Sequence, residues 1–134
     1  MAATIKKRDL FVVALGGIVG SLSRWGVSLA IKDQGLPGFP WATLLVNYLG
    51  SAILMAILLY LRHHKNPQWW WRPALGAGFC GGFTTYSAFA LKIDQYFQSH
   101  NYGSALTYAI ASLLGTYIIV LVTHEALKNK WVKP

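Results

Sequence analysis

The sequence predicts an all-helical integral membrane protein, a single domain over residues 1–134 with four transmembrane helices. Three observations predict it. Of 134 residues, 54% are hydrophobic and only 12% are charged, against about 25% charged in an ordinary soluble domain. Residues 10–23, 41–61, 73–91 and 102–123 contain no Asp, Glu, Lys or Arg, and a helix needs roughly 20 mostly apolar residues to cross about 30 Å of hydrocarbon. None of these runs alternates with period two, which sets a barrel aside, and helices and closed barrels are the folds that satisfy every backbone group in lipid.

The first helix is expected over residues 10–31. Its uncharged part is too short to span alone, so it must continue through Arg24, which places a cation inside a membrane helix. Lys6-Lys7-Arg8 ahead of an apolar run imitates a secretory signal, but no small-x-small cleavage site closes it and more apolar spans follow, so the segment is expected to stay as a helix. The second helix, residues 41–61, carries Asn47, whose amide can bond a neighbouring helix or line a polar path; on spacing alone the first role is commoner.

The third helix, residues 73–97, contains the most unusual segment. Adjacent glycines followed by β-branched threonines are poor helix formers, and a break is expected at Gly81, Gly82, Thr84 and Thr85, near the middle of the span. Unwound backbone at membrane depth persists only where protein or a water-filled cavity satisfies it, and transporters aim such carbonyls at cations and such N–H groups at anions. A mid-membrane ion site follows, with close helix packing through small residues as the alternative. Cys80, the single cysteine, lies in the same span, which excludes a disulfide framework. In the fourth helix, residues 102–124, Tyr108, Ser112 and Thr116 recur every four residues and form one polar stripe.

The formal net charge of +8 does not point to nucleic acid, because the cations sit at the borders of the apolar runs rather than in a patch. Four crossings put Lys6, Lys7, Arg8, Arg62, Lys65, Arg72, Lys128, Lys130 and Lys133 on one side, facing at most Lys32 and Lys92 on the other. Both termini are therefore expected in the cytoplasm of a multi-pass cell-membrane protein. The four acids, Asp9, Asp33, Asp94 and Glu125, all lie at or beyond the span ends. That leaves no proton relay across the bilayer, and an enzyme is not expected either, for there is no carboxylate pair, ligand cluster or nucleophile with a base. Hydroxyl and amide donors without a buried carboxylate suit an anion.

With these residues in view, the chain resembles the Fluc/CrcB family of fluoride channels across all four spans. The resemblance rests on Gly16-Gly17-Ile18-Val19-Gly20-Ser21-Leu22-Ser23-Arg24-Trp25, on Pro40-Trp41-Ala42-Thr43-Leu44-Leu45-Val46-Asn47 with Gly50, and most specifically on Gly78-Phe79-Cys80-Gly81-Gly82-Phe83-Thr84-Thr85 with Ser87 and Phe89. It implies an antiparallel dimer with fluoride pathways through it, a passive exporter that lowers cytoplasmic fluoride. It further implies a structural sodium ion held by the carbonyls of Gly81 and Thr84. Asn47 would be the pore amide, Tyr86 and Phe89 an aromatic pair with edges toward the anion, Tyr108, Ser112 and Thr116 the polar track, and Arg24 a vestibule charge.

The sequence departs from the family pattern at Tyr86, Ala88 and Lys92, where Phe, Thr and Glu are usual. An antiparallel homodimer also needs one sequence to insert both ways, which the charge bias opposes. The expectation is therefore pairing with a separately encoded, oppositely oriented paralogue, with a homodimer as the alternative. Two other readings are a non-conducting assembly subunit and a small multidrug-type exporter; the latter needs a membrane-embedded carboxylate that the first helix lacks.

Overall fold

The computed structural model describes residues 6–31, 38–64 and 67–131. Lys32, Asp33, Lys65 and Lys133 lie outside the described residues. Everything regular among those described is helical. Helix α1 is Lys7–Ala30, α2 is Trp41–His63, α3 is Trp71–Cys80 continued by Gly81–Phe83, α4 is Ser87–Gln98 and α5 is Tyr102–Trp131. Three of them, α1, α2 and α5, are by length and composition able to cross a membrane. The fourth expected span is two shorter helices, α3 and α4, separated by Thr84, Thr85 and Tyr86.

The helix ends differ from the uncharged runs for local reasons. Helix α1 starts at Lys7 rather than residue 10, because the Asp9 carboxylate accepts the Lys6 N–H at 3.1 Å and caps the first turn. Helix α3 starts at Trp71, with Pro73 in its first turn, where a missing N–H costs nothing. Its winding through Cys80 is of the wider π type. Helix α5 continues past residue 124 to Trp131, since good helix formers follow the apolar run and Lys128 pairs with Glu125 one turn back. Between α4 and α5, His100 takes the left-handed conformation at φ 55°, and Asn101 caps α5 by accepting the Ser104 N–H at 3.3 Å.

Glycines weld α1 to α3. A Cβ on Gly16 would overlap the Ala74 carbonyl and one on Gly20 the Phe79 carbonyl, while on Gly78 it would stand 2.6 Å from the Val13 carbonyl and on Gly82 2.5 Å from that of Gly17. The backbones thus approach as closely as small residues permit. On the other side, α2 packs on α5 through Tyr48, whose hydroxyl donates to the Ala111 carbonyl at 2.5 Å and whose ring fills the space over Gly115.

The described residues bury little else. One cluster unites Leu44, Tyr96, Ala105 and Tyr108 where α2, α4 and α5 meet, and the Tyr96 hydroxyl ties it to the Gly38 carbonyl at 2.8 Å. Outward faces are apolar instead, with Phe11, Ile18 and Leu22 on α1 and Leu113, Leu114 and Ile118 on α5 all exposed. Long helices with bare apolar faces are what lipid, rather than water, solvates.

Candidate functional site

The break between α3 and α4 is held open by side-chain acceptors, which take N–H groups that the helix would otherwise bond to its own carbonyls. In an unbroken helix the Thr85 N–H would bond the Gly81 carbonyl and the Ala88 N–H the Thr84 carbonyl. Neither does so. The Thr85 N–H donates to Asn47 Oδ1 at 2.8 Å, and Asn47 Nδ2 donates back to the Thr85 carbonyl at 3.0 Å. This reciprocal pair fixes the amide's orientation, because an N–H must meet its oxygen and a carbonyl its nitrogen. The Ala88 N–H turns to Thr85 Oγ1 at 3.1 Å, so Thr85 caps α4.

Arg24 reaches the same segment. Its Nη1 donates to the Thr84 carbonyl at 3.1 Å, which takes one of that oxygen's two lone pairs. The Thr84 hydroxyl bonds back to the Cys80 carbonyl at 2.9 Å, and the Thr84 methyl occupies the space that a Cβ on Gly50 would need. The chain leaves the helix at Thr84, with φ −82° and ψ 163°. Gly81 and Gly82, expected within the break, are helical. The break therefore follows the hydrogen-bond diversion rather than the glycines, and the two glycines divide the remaining work. Gly82 packs on α1, whereas nothing lies within 4 Å of a Cβ on Gly81.

A groove lies on each side of this clamp. The first, of about 440 Å³, is lined by Asn47, Gly81 and Thr84, by the rings of Tyr86 and Phe89, and by Ser51, Ser112 and Thr116. The second, of about 390 Å³, holds Arg24 with Ser21, Ser28, Thr43 and Ser87. Thr85 faces both. Among the described residues, no acidic side chain lines either groove.

Most residues expected to share a site do so. Asn47, Tyr86, Phe89, Ser112 and Thr116 line one groove together with Gly81 and Thr84, and Arg24 lines the other. Tyr108 does not line the groove, despite its place in the four-residue stripe. It is 0% exposed, with its ring 5.2 Å from Phe89, 5.5 Å from Phe39 and 6.5 Å from Tyr96. Tyr86 is 79% exposed, and its ring centroid lies 5.7 Å from that of Phe89. Ser112 Oγ is buried and has no hydrogen-bond partner among the described residues. Lys92 extends its ammonium over the Tyr96 ring, 5.2 Å from the centroid.

Sequence reasoning did not single out Ser21, Ser28, Thr43 or Ser87 as lining residues. For α1 a signal existed: positions 21, 24 and 28 are spaced to share one helix face.

Long lipid-facing helices around a broken one, whose clamped backbone stands between two hydroxyl-lined grooves, define a multi-pass membrane protein built to pass or hold a small ion. Residues 11–124 match the family described as CrcB-like protein, Camphor Resistance (CrcB), and the chain belongs to that family. It is similar to the protein named fluoride-specific ion channel FluC of Caulobacter vibrioides, 40% identical over 78% of this chain and 84% of the relative. The protein of the same name from Bordetella petrii is 35% identical over 96% of this chain and 100% of its own length. Fluoride-specific ion channel FluC 2 of Thermobifida fusca is 40% identical over 83% and 82%.

Proposed function

We propose that this chain is a subunit of a fluoride channel, not an enzyme, and that it lets fluoride leave the cell passively. The observation that carries this is the Ser112 hydroxyl, buried without a partner among the described residues, in a groove with Asn47, Thr116 and two aromatic rings and, among those same residues, no acidic side chain. A buried hydroxyl without a partner costs about 1–3 kcal/mol, and an anion moving past would accept from it. Asn47 also has an N–H to spare, since the clamp uses one of its two donors. The positive edges of the Tyr86 and Phe89 rings complete a path of weak contacts that holds the anion without trapping it. The relatives' names supply fluoride as the ion.

In this reading α3 and α4 together make the fourth crossing. Their pieces of 10, 3 and 12 residues give roughly 30 Å or more at helical rise. Both termini lie in the cytoplasm and lipid surrounds the bundle. The subunit pairs with an oppositely oriented paralogue, because the cation bias fixes one orientation for this sequence.

A structural sodium ion belongs to the same proposal, and the residues present fit it. The Gly81 and Thr84 carbonyls have lost their helical partners, the Thr85 and Ala88 N–H groups, to side-chain acceptors, and both residues line the first groove. Once bound, the ion would supply a fixed positive charge at the break. Carbonyl oxygens are suitable ligands for an alkali cation.

The test is growth in fluoride of cells that lack their own fluoride exporter. Expression of this chain with its partner should restore growth, and Asn47→Ala or Phe89→Ala, still assembled, should abolish it. Unchanged growth with either variant would favour a non-conducting assembly subunit.

A further inference from the structure

We infer that Asn47 and Thr85 are positioning residues for the cation site, acting by diverting the two N–H groups that would otherwise close the Gly81 and Thr84 carbonyls. The inference rests on the sodium reading above and assigns its origin to side chains that do not touch the ion. Backbone polar groups in a membrane must be satisfied within the protein. A helix running through residues 81–88 would satisfy them by itself, and with no competing acceptor it would re-form. Glycines do not prevent this here, because Gly81 and Gly82 are helical already.

Two acceptors compete instead. Asn47 Oδ1, on α2, takes the Thr85 N–H at 2.8 Å, and Asn47 Nδ2 compensates the Thr85 carbonyl at 3.0 Å. Thr85 Oγ1 takes the Ala88 N–H at 3.1 Å. Each diversion releases one carbonyl, first that of Gly81 and then that of Thr84. Arg24 occupies part of the Thr84 oxygen at 3.1 Å and so fixes that peptide's direction from α1. The Gly82 and Phe83 carbonyls lose their helical partners as well, but of the four residues Gly81 and Thr84 are the two that line the first groove, so their oxygens are the pair that a cation there can use. Asn47 is thus a splint for the break before it is a donor to an anion.

The experiment measures thermal unfolding of the purified, assembled channel in sodium chloride and in N-methyl-D-glucamine chloride. The wild type should unfold at higher temperature in sodium. Asn47→Leu and Thr85→Val, each of which removes one competing acceptor at similar volume, should lose that sodium-dependent shift as the helix closes. Thr85→Ser keeps the Oγ acceptor and should retain it. Because Asn47→Leu removes a bond between helices and risks failing to fold, the Val and Ser pair at position 85 decides the matter in that case. A sodium shift in the wild type that survives in Thr85→Val, or that Thr85→Ser loses, would overturn the inference and leave the cation site standing. No sodium shift in the wild type would overturn the cation site and this inference with it.

Discussion

Ser112 offers the sharpest separation of function from stability. Its hydroxyl is buried without a partner among the described residues, so Ser112→Ala removes an unsatisfied group, and thermal unfolding should show stability kept or raised by about 1 kcal/mol. Fluoride efflux should nevertheless fall by about tenfold, the cost of one hydrogen bond to a charged partner. Tyr86 and Phe89 make a second contrast. Tyr86→Phe keeps the ring beside Phe89 and should conduct, whereas Phe89→Leu removes a ring edge and should slow efflux in the same assay. The stripe of Tyr108, Ser112 and Thr116 was legible from spacing, but only Ser112 and Thr116 line the groove. Periodicity puts side chains on one face without saying which will be drawn into a core, and the large Tyr108 ring packs among Phe39, Phe89 and Tyr96.

At the scale of the elements, the adjacent glycines of α3 behave oppositely. A Cβ on Gly82 would stand 2.5 Å from the Gly17 carbonyl, and one on Gly81 would meet nothing within 4 Å. Gly82→Ala should therefore lower stability by about 1–3 kcal/mol by forcing α1 from α3, and Gly81→Ala should cost less, as paired unfolding curves would show. The structure interrupts the helix after Phe83, whereas the sequence expectation spread the break over Gly81, Gly82, Thr84 and Thr85. That expectation located the break by residue propensity, and propensity is a weak prior beside a specific long-range bond. The deciding partner, Asn47, is 38 residues away from Thr85, and no local pattern announces that pairing. The extension of α5 beyond residue 124 went unread for a similar reason, since hydropathy marks where lipid ends and not where helix ends.

For the whole molecule, the composition already determined the solvent, and the exposed apolar faces of α1 and α5 agree with it. Orientation is a proposal at this scale, and it rests on cations clustered at one end. A C-terminal reporter that fluoresces only in the cytoplasm should be bright, and one active only outside should be silent. Replacing Lys6, Lys7 and Arg8 by Gln should produce a mixed signal, because short flanking segments set orientation. The proposed pairing follows from the same bias, since a chain fixed in one orientation needs an oppositely oriented partner to complete an antiparallel channel.

Fluoride efflux from liposomes, followed with a fluoride electrode, tests the central claim directly. Vesicles containing this chain together with its oppositely oriented paralogue should release fluoride rapidly and retain chloride, while the chain alone should release little. Rapid efflux from the chain alone would contradict the fixed orientation, and no efflux in either case would contradict the channel itself.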